Sequence, residues 1–371
     1  MMKKLSHTLI LAALCAPAHA VIELTDTFSF SGFGSASWAR SDNDTPLFIN
    51  RFIKDENCFD CDTTFGLQLD YYNSGFKASV QGVKRPQDNW SNPSLEWAYV
   101  GYEVGDFDIR AGRQRLPLYL ASEYFYVGQA YTLARLPTEV YGAFLGITGY
   151  NGFAVTWNHY LTDELQLSLT PYVGFNDNNK VEFSPTFALD FETDRLYGLN
   201  AKLIGDFYRW NFSVMDGEFD VTSSGTGFVS IPFPPFESTF PIEGTDRNTV
   251  KIYSIGTEYE FGALKTTFEF QKTESRRMDW YGLASYRMAP FTPYIAYGQL
   301  YQDGERSNMT STLGVRYDLL SNVSINAEYQ YVQVLNDGTG PFAPERTITI
   351  PSTPLPDNSA SVYTLMVNFV F

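Results

Sequence analysis

The last eleven residues, Ser361-Val-Tyr-Thr-Leu-Met-Val-Asn-Phe-Val-Phe371, restrict the fold more than any other segment. Tyr363, Leu365, Val367, Phe369 and Phe371 fall on alternate positions, and alternate side chains of a strand point to opposite faces. One face is therefore a continuous apolar row. Such a row belongs either to a sheet packed on a soluble core or to a wall that faces lipid. The same pattern recurs along the whole chain.

The first residues decide between the two. Met1 to Ala20 has the parts of a secretory leader: Lys3 and Lys4, an apolar run from Leu9 to Ala16, and Ala18-His19-Ala20 as a small-residue cleavage site. The leader is expected to be residues 1–20 and the mature domain residues 21–371. Cys15 follows Leu14, where lipoprotein processing needs a small residue, so acylation is not expected. Beyond the leader no run reaches the roughly 18 apolar residues of a membrane-spanning helix. An exported chain of alternating strands without such a helix is expected to be all-β, a transmembrane antiparallel β-barrel of the bacterial outer membrane.

Composition fits that expectation. The chain holds 25 Tyr and 30 Phe and yet is not hydrophobic on average. A barrel uses aromatics for its lipid face and for the girdles at both membrane interfaces. Lys plus Arg number 26 against 42 Asp plus Glu, and losing Lys3 and Lys4 with the leader leaves 24 against 42. This balance excludes nucleic acid as a partner. The two remaining cysteines lie in Asn57-Cys-Phe-Asp-Cys-Asp62, and an oxidising compartment favours a local Cys58–Cys61 disulfide. A redox pair would want a βαβ context, and a metal site would need two further ligands. Neither is present, and no metal or cofactor is expected.

Short turn sequences punctuate the chain: Asn73-Ser74-Gly75, Gly105-Asp106, Thr162-Asp163-Glu164, Gly205-Asp206, Gly262-Ala263, Ala289-Pro290 and Leu320-Ser321-Asn322. Tight turns joining strands in pairs, with a first and a last strand closing the wall, give about sixteen strands. The expected strands begin with Thr27–Ala39, Thr63–Tyr72, Phe76–Arg85, Ser94–Val104, Phe107–Arg115, Gly152–Leu161, Leu165–Phe175 and Thr193–Ile204. They continue with Tyr208–Met215, Asn248–Phe261, Leu264–Thr273, Asp279–Met288, Phe291–Tyr301, Thr310–Leu319, Val323–Val334 and Ser359–Phe371. Asp216–Asp246 and Leu335–Asn358 read as long, Pro/Gly/Ser-rich outer loops. Very short turns alternating with long loops separate a membrane barrel from a soluble sandwich, and even parity puts both chain ends on the periplasmic side.

The connection from Leu116 to about Gly149 differs in kind. Its stretch Leu116-Pro-Leu-Tyr-Leu-Ala-Ser-Glu-Tyr-Phe-Tyr-Val continues to Tyr141 too apolar to hang in water. It is expected to pack inside the barrel. With Arg110-Ala-Gly-Arg-Gln-Arg-Leu-Pro117 and Val127-Gly-Gln-Ala-Tyr131, the chain resembles the general bacterial porin superfamily, and locally the porin-like proteins of proteobacteria. The resemblance implies a sixteen-stranded homotrimer whose third long loop folds inward to narrow the channel. It further implies that Glu123 and Glu139, with Arg135, belong to that constriction and face bases on the wall.

Strand parity supplies the wall charges. Lys77, Arg85, Arg110, Lys202, Arg209, Lys265, Arg287 and Arg316 are expected to face the lumen, and so are Asp70, Asp108, Glu258, Glu260, Glu269 and Glu328. For each, simple solvation in a water-filled barrel is the plain alternative. Arg113 and Arg115 sit at a strand's outer end, where lipopolysaccharide phosphates are expected partners. The acidic runs Asp42-Asn-Asp44 and Asp55-Glu56 lack the spacing of a dedicated calcium loop.

An enzyme is not expected. The mature chain has one histidine, His159, near the periplasmic end of a strand, and no Gly-x-Ser-x-Gly elbow, phosphate loop or zinc-spaced His/Cys set. The sequence leads to an outer-membrane channel for passive diffusion of ions and small hydrophilic solutes, in contact with outer-membrane lipid and lipopolysaccharide. Two alternatives keep the fold: a substrate-selective channel with a saturable site, and a non-conducting barrel acting as an adhesin or anchor.

Overall fold

The computed structural model describes residues 21–49, 51–86, 93–142, 147–184, 186–232, 235–336, 340–343, 347–349 and 358–371. The expected leader, residues 1–20, lies outside them. Among the described residues one sheet contains eighteen strands; two are fragments, Ile22–Glu23 and Thr347–Thr349, which leaves sixteen in the wall. These are β1 (Phe28–Ser41), β2 (Thr64–Asn73), β3 (Phe76–Lys84), β4 (Ser94–Val104), β5 (Phe107–Arg115), β6 (Gly149–Thr162), β7 (Leu165–Ser184) and β8 (Phe187–Ile204). There follow β9 (Tyr208–Pro232), β10 (Pro235–Phe261), β11 (Leu264–Thr273), β12 (Arg277–Tyr286), β13 (Phe291–Gln302), β14 (Glu305–Leu320), β15 (Val323–Val334) and β16 (Ser359–Val370).

Each wall strand pairs antiparallel with its sequence neighbours, and β16 closes on β1 from Val362 opposite Ser41 to Val370 opposite Phe33. Closure removes the sheet edges that hydrocarbon cannot tolerate. The expected turns all occur. Gly105 and Gly262 take φ of 56° and 63°, the left-handed region where a glycine meets no Cβ penalty.

The two faces are as the alternation requires. On β16, Tyr363 and Leu365 are exposed on the outside, while Val362 and Met366 are buried on the inside. At the closing seam the terminal rings reach over glycines of β1. A Cβ on Gly32 would stand 2.3 Å from the Phe371 ring, and one on Gly34 would stand 2.5 Å from Phe369.

One expectation needs correction. Asp216–Asp246 is not a loop: β9 and β10 stay paired without interruption from Tyr208 opposite Tyr259 to Pro232 opposite Pro235. β7 and β8 lengthen alongside, pairing out to Ser184 opposite Phe187. Gly and Ser in this stretch weaken side-chain packing but leave the backbone donors and acceptors intact, and two strands that satisfy each other need no core. A second departure is a bulge. Gln81 pairs with Trp97 and Gly82 with Leu95, so Glu96 is an extra residue and both Glu96 and Trp97 turn inward.

Gly152 of β6 faces Gly174 of β7 with no room for a side chain. A Cβ on Gly152 would sit 1.9 Å from the Val173 carbonyl oxygen, a backbone atom that cannot swing aside. Gly152→Ala should therefore part the two strands and destabilise the barrel by about 1–3 kcal/mol. A lower urea midpoint for the loss of heat-modifiable mobility is the readout; an unchanged midpoint would contradict this packing.

Candidate functional site

Residues 116–142 leave β5 and turn into the barrel, running past a helical turn at Ser122–Tyr124, another at Gly128–Ala130, and a short helix α1 (Thr138–Tyr141). The apolar half of the segment determines where it settles. Leu116, Leu118, Val140 and Tyr141 form one buried cluster with Tyr172, Leu196, Met215 and Ile252 of the wall. These wall residues occupy lumen-facing positions that a water-filled channel would make polar. Full burial of each aliphatic chain contributes about 1.5–3 kcal/mol, enough to hold the segment on this sector.

Polar anchors then fix its path. Ser213 Oγ donates to the Pro117 carbonyl at 2.7 Å, and Ser254 Oγ donates to that of Leu118 at 2.6 Å. Glu269 accepts from Leu120 N at 2.7 Å, from Tyr141 Oη at 2.6 Å and from Tyr281 Oη at 2.7 Å. Four strands on, on β15, Glu328 accepts from Ala134 N and from Tyr294 Oη, both at 3.0 Å. Asn326 donates to the Thr132 carbonyl, and Arg316 donates to those of Gln129 and Tyr131. Gly128 passes so near β16 that a Cβ there would stand 2.2 Å from Asn368 Oδ1. Glu269 and Glu328 were legible from sequence as lumen-facing acids. Their partners, the amides of the loop, were not, since nothing in the strand register says what will fold against it.

Of the three charged loop residues, only Glu123 faces the lumen's charged wall. It meets Lys202 Nζ at 2.8 Å, and that ammonium holds its carboxyl below the usual range. The other two expectations need correction. Arg135 is buried, fastened to Asp62 of the first outer loop by hydrogen bonds of 2.6 to 3.0 Å, and its guanidinium lies 5.5 Å from the Phe48 ring centre. Burial pushes the Asp62 carboxyl up, but Arg135 and Arg51 outweigh it and leave the group below its ordinary value. Glu139, 2% exposed, lies against Gly298 of β13, and burial pushes its carboxyl up. Arg135 ties the segment to the first outer loop and Glu139 packs it on the wall; sequence spacing cannot distinguish a charge aimed at the lumen from one aimed at a neighbouring element.

The wall charges are mostly paired. Lys77 bridges Glu103 at 2.8 Å and Asp108 at 2.6 Å, and Arg110 also holds Asp108. Arg209 reaches Glu258 and the Tyr124 hydroxyl of the loop, and Lys265 shares the same Glu258 at 2.8 Å. Arg316 pairs with Asp318, whereas Arg287 is exposed. Arg85 and Arg115 both bind Glu96, at 3.0 and 2.9 Å, and Tyr126 of the loop covers Arg115. Arg115 thus points into the barrel, correcting its expected contact with lipopolysaccharide, because the bulge brings Glu96 inside to meet it. Arg113 bonds Asp177 at 2.6 Å. Cys58 and Cys61 are joined by a disulfide whose second cysteine immediately precedes Asp62, the buried partner of Arg135. Between the loop and β9–β14 a vestibule of about 340 Å³ opens toward the Gly262–Ala263 turn, the periplasmic end.

Comparison with known proteins agrees with this architecture. The family model described as Gram-negative porin matches residues 8–337. No curated protein sequence matches the chain. An anion-selective porin from Comamonas acidovorans is similar over 93% of this chain and 99% of its own, with 12% identity and a TM-score of 0.58. OmpF of Salmonella typhi, in complex with daunomycin, is similar over 95% and 100%, with 9% identity and a TM-score of 0.60. OmpT of Vibrio cholerae in its trimer form is similar over 93% and 99%, with 11% identity and a TM-score of 0.57. At these identities the likeness concerns the fold alone.

The Asp62–Arg135 pair is the strongest tie between the inward segment and an outer loop, and both partners are buried. Replacing Arg135 by Ala leaves a buried carboxylate without its main partner, a loss of about 3–5 kcal/mol in comparable pairs. Noisier, larger current steps through the mutant barrel are expected. The sign of the acid dependence follows from the lowered Asp62 value: its contribution is present above the ordinary aspartate range, about 4, and is lost only as pH falls through the lower folded value. Current noise in the unmodified protein should stay flat down to that range and rise below it.

Proposed function

The chain belongs to the Gram-negative porin family, and from that premise we propose that residues 116–142 set the size and charge of its passage. The protein is an outer-membrane β-barrel whose water-filled channel carries ions and small hydrophilic solutes by passive diffusion. The observation that carries the proposal is the Glu123–Lys202 pair of 2.8 Å, a loop acid set against a wall base, with Arg110 and Arg209 close enough to act on the same carboxyl. The two groups are in contact, so a solute passes beside the pair, where the local field it makes with Arg110 and Arg209 orients a polar solute as it moves. The remaining wall charges, from Lys77 and Asp108 round to Lys265 and Arg287, line the approach.

The working assembly in this reading is a homotrimer, supported by the trimer form of the similar OmpT. The outward apolar rows meet lipid, with lipopolysaccharide at the outer rim. Residues 1–20 are removed on export and residues 21–371 act as one domain. Porins are in general not enzymes, and we assign no catalytic role. His159 fits that view: it is half-exposed, stacked on Trp157, and 3.7 Å from Asp106 at the periplasmic rim. One observation favours the sealed-barrel alternative, namely how thoroughly the inward segment is bonded from β9 round to β1.

Planar-bilayer recording separates the two. The folded protein is expected to conduct in steps grouped by three, and Glu123→Gln should move the reversal potential in a salt gradient toward anion preference. A folded protein that gives no current would place the function in its outer loops instead.

A further inference from the structure

Where α1 rests on the wall, a glycine and a set of uncharged polar side chains meet. Gly298 of β13 stands opposite Thr310 of β14, and Thr312 of β14 stands opposite Gln330 of β15. Directly opposed positions bring their Cβ atoms to about 4.5–5.5 Å, so these residues form one patch of the inner face. Gly298, having no side chain, admits the Glu139 carboxylate: a Cβ there would stand 3.0 Å from Glu139 Oε2. Glu139, Thr310 and Gln330 are 2%, 3% and 6% exposed, and together they border a cavity of about 10 Å³. That is room for about one particle the size of a water molecule.

Three oxygens at this cavity have no hydrogen-bond partner: Glu139 Oε1, Thr310 Oγ1 and Gln330 Oε1. Gln330 Nε2 donates to Thr312 Oγ1, which leaves its own Oε1 free for the cavity. The neighbouring buried acids are provided for. Glu328 accepts an amide and a tyrosine hydroxyl, Asp62 holds Arg51 and Arg135, and Asp279 holds Arg277. Glu139 makes no ion pair with any described residue. Arg135 also borders the cavity and its Nη1 is unpartnered, but its Nε and Nη2 lie on Asp62. The charges that act most on Arg135 are those of Asp62 and Glu328, whereas those acting on the Glu139 carboxyl are Asp279 and Arg277. Asp62, Glu139, Asp279 and Glu328 thus stand against Arg51, Arg135 and Arg277, and one negative charge is left without a counter-charge.

A lone carboxylate is costly to bury unless a counter-charge lies beside it. Carboxylate, amide and hydroxyl oxygens are hard donors, which favour alkali and alkaline-earth ions over copper or zinc. Calcium takes about six to eight oxygens, and magnesium demands an octahedron and keeps several waters; a cavity for one particle with one carboxylate supplies neither. A divalent ion would also exchange a buried negative charge for a buried positive one. We infer that the cavity binds one sodium ion, held by Glu139 Oε1, Thr310 Oγ1 and Gln330 Oε1, and that the ion fastens α1 to β14 and β15. The ligands come from three separate elements, so no sequence spacing announces them.

The test uses the full mature protein in detergent at pH 8, with sodium chloride exchanged for N-methylglucamine chloride at constant ionic strength, and reads the urea midpoint for loss of heat-modifiable mobility. Sodium is expected to raise the midpoint in a saturating way, and Glu139→Gln to abolish that dependence. Thr310→Val keeps the carboxylate and should raise the sodium concentration for half the effect about tenfold, the size of one lost ligand. If Glu139→Gln does not fold, Thr310→Val and Gln330→Leu carry the test. Equal midpoints in the two salts overturn the site: a midpoint that then falls as pH rises assigns the cavity a proton on Glu139, and one indifferent to pH assigns it a bridging water between Arg135 and Glu139. A sodium effect that survives Glu139→Gln or is unmoved by Thr310→Val also overturns it, because the ion then sits elsewhere. None of these outcomes bears on the porin reading, which the current recordings test separately.

Discussion

The structure depends on one constraint: no backbone donor or acceptor of the wall can be left unpaired in hydrocarbon. A sheet meets that constraint only by closing, and here it closes where β16 lies along β1. Closure has consequences at every other level. It makes one face of each strand lipid-facing, which demands the apolar row ending at Phe371. It encloses the other face, which creates a compartment where a segment too apolar for bulk water can be placed.

The compartment is organised by acids that hold backbone. Glu269 and Glu328 accept the amides of Leu120 and Ala134, and Asp62 does the same service for the Arg135 side chain. A buried amide left without a partner costs about 1–3 kcal/mol. Two wall carboxyls four strands apart, on β11 and β15, therefore define the segment's course more sharply than its aliphatic packing, which is broad and tolerant. The charges nearest the lumen, Glu123 with Lys202 and Glu258 with Arg209 and Lys265, are arranged around a segment whose position is already decided.

Much of this was legible in the sequence because the barrel's rules are local. Alternation within Ser94–Val104 or Val323–Val334 and a glycine at the turn between β4 and β5 need only neighbouring residues to be recognised. What was not legible involves residues remote in sequence or a change of period. Arg115 was misplaced because an extra residue in the adjacent strand, Glu96, draws it inside. Arg135 and Glu139 were placed in the passage by likeness to porins, whereas their partners, Asp62 and the backbone around Gly298, are separated from them by 73 residues in one case and by most of the barrel's second half in the other. The long ribbon was missed because its composition resembles a loop while its hydrogen bonding is that of a strand.

That ribbon also limits how the chain can change. Its strands are in register residue for residue from the membrane to the tip, so losing a single residue from one side would turn every position beyond it to the opposite face. A matched single loss, such as Val221 together with its partner Asp246, keeps the cross-strand partners but turns the outer positions of both strands over, so only two residues taken from each strand keep both faces. Length variants of this surface should therefore be spaced in pairs drawn from both strands, an arithmetic that ordinary outer loops, free to lengthen one residue at a time, do not obey.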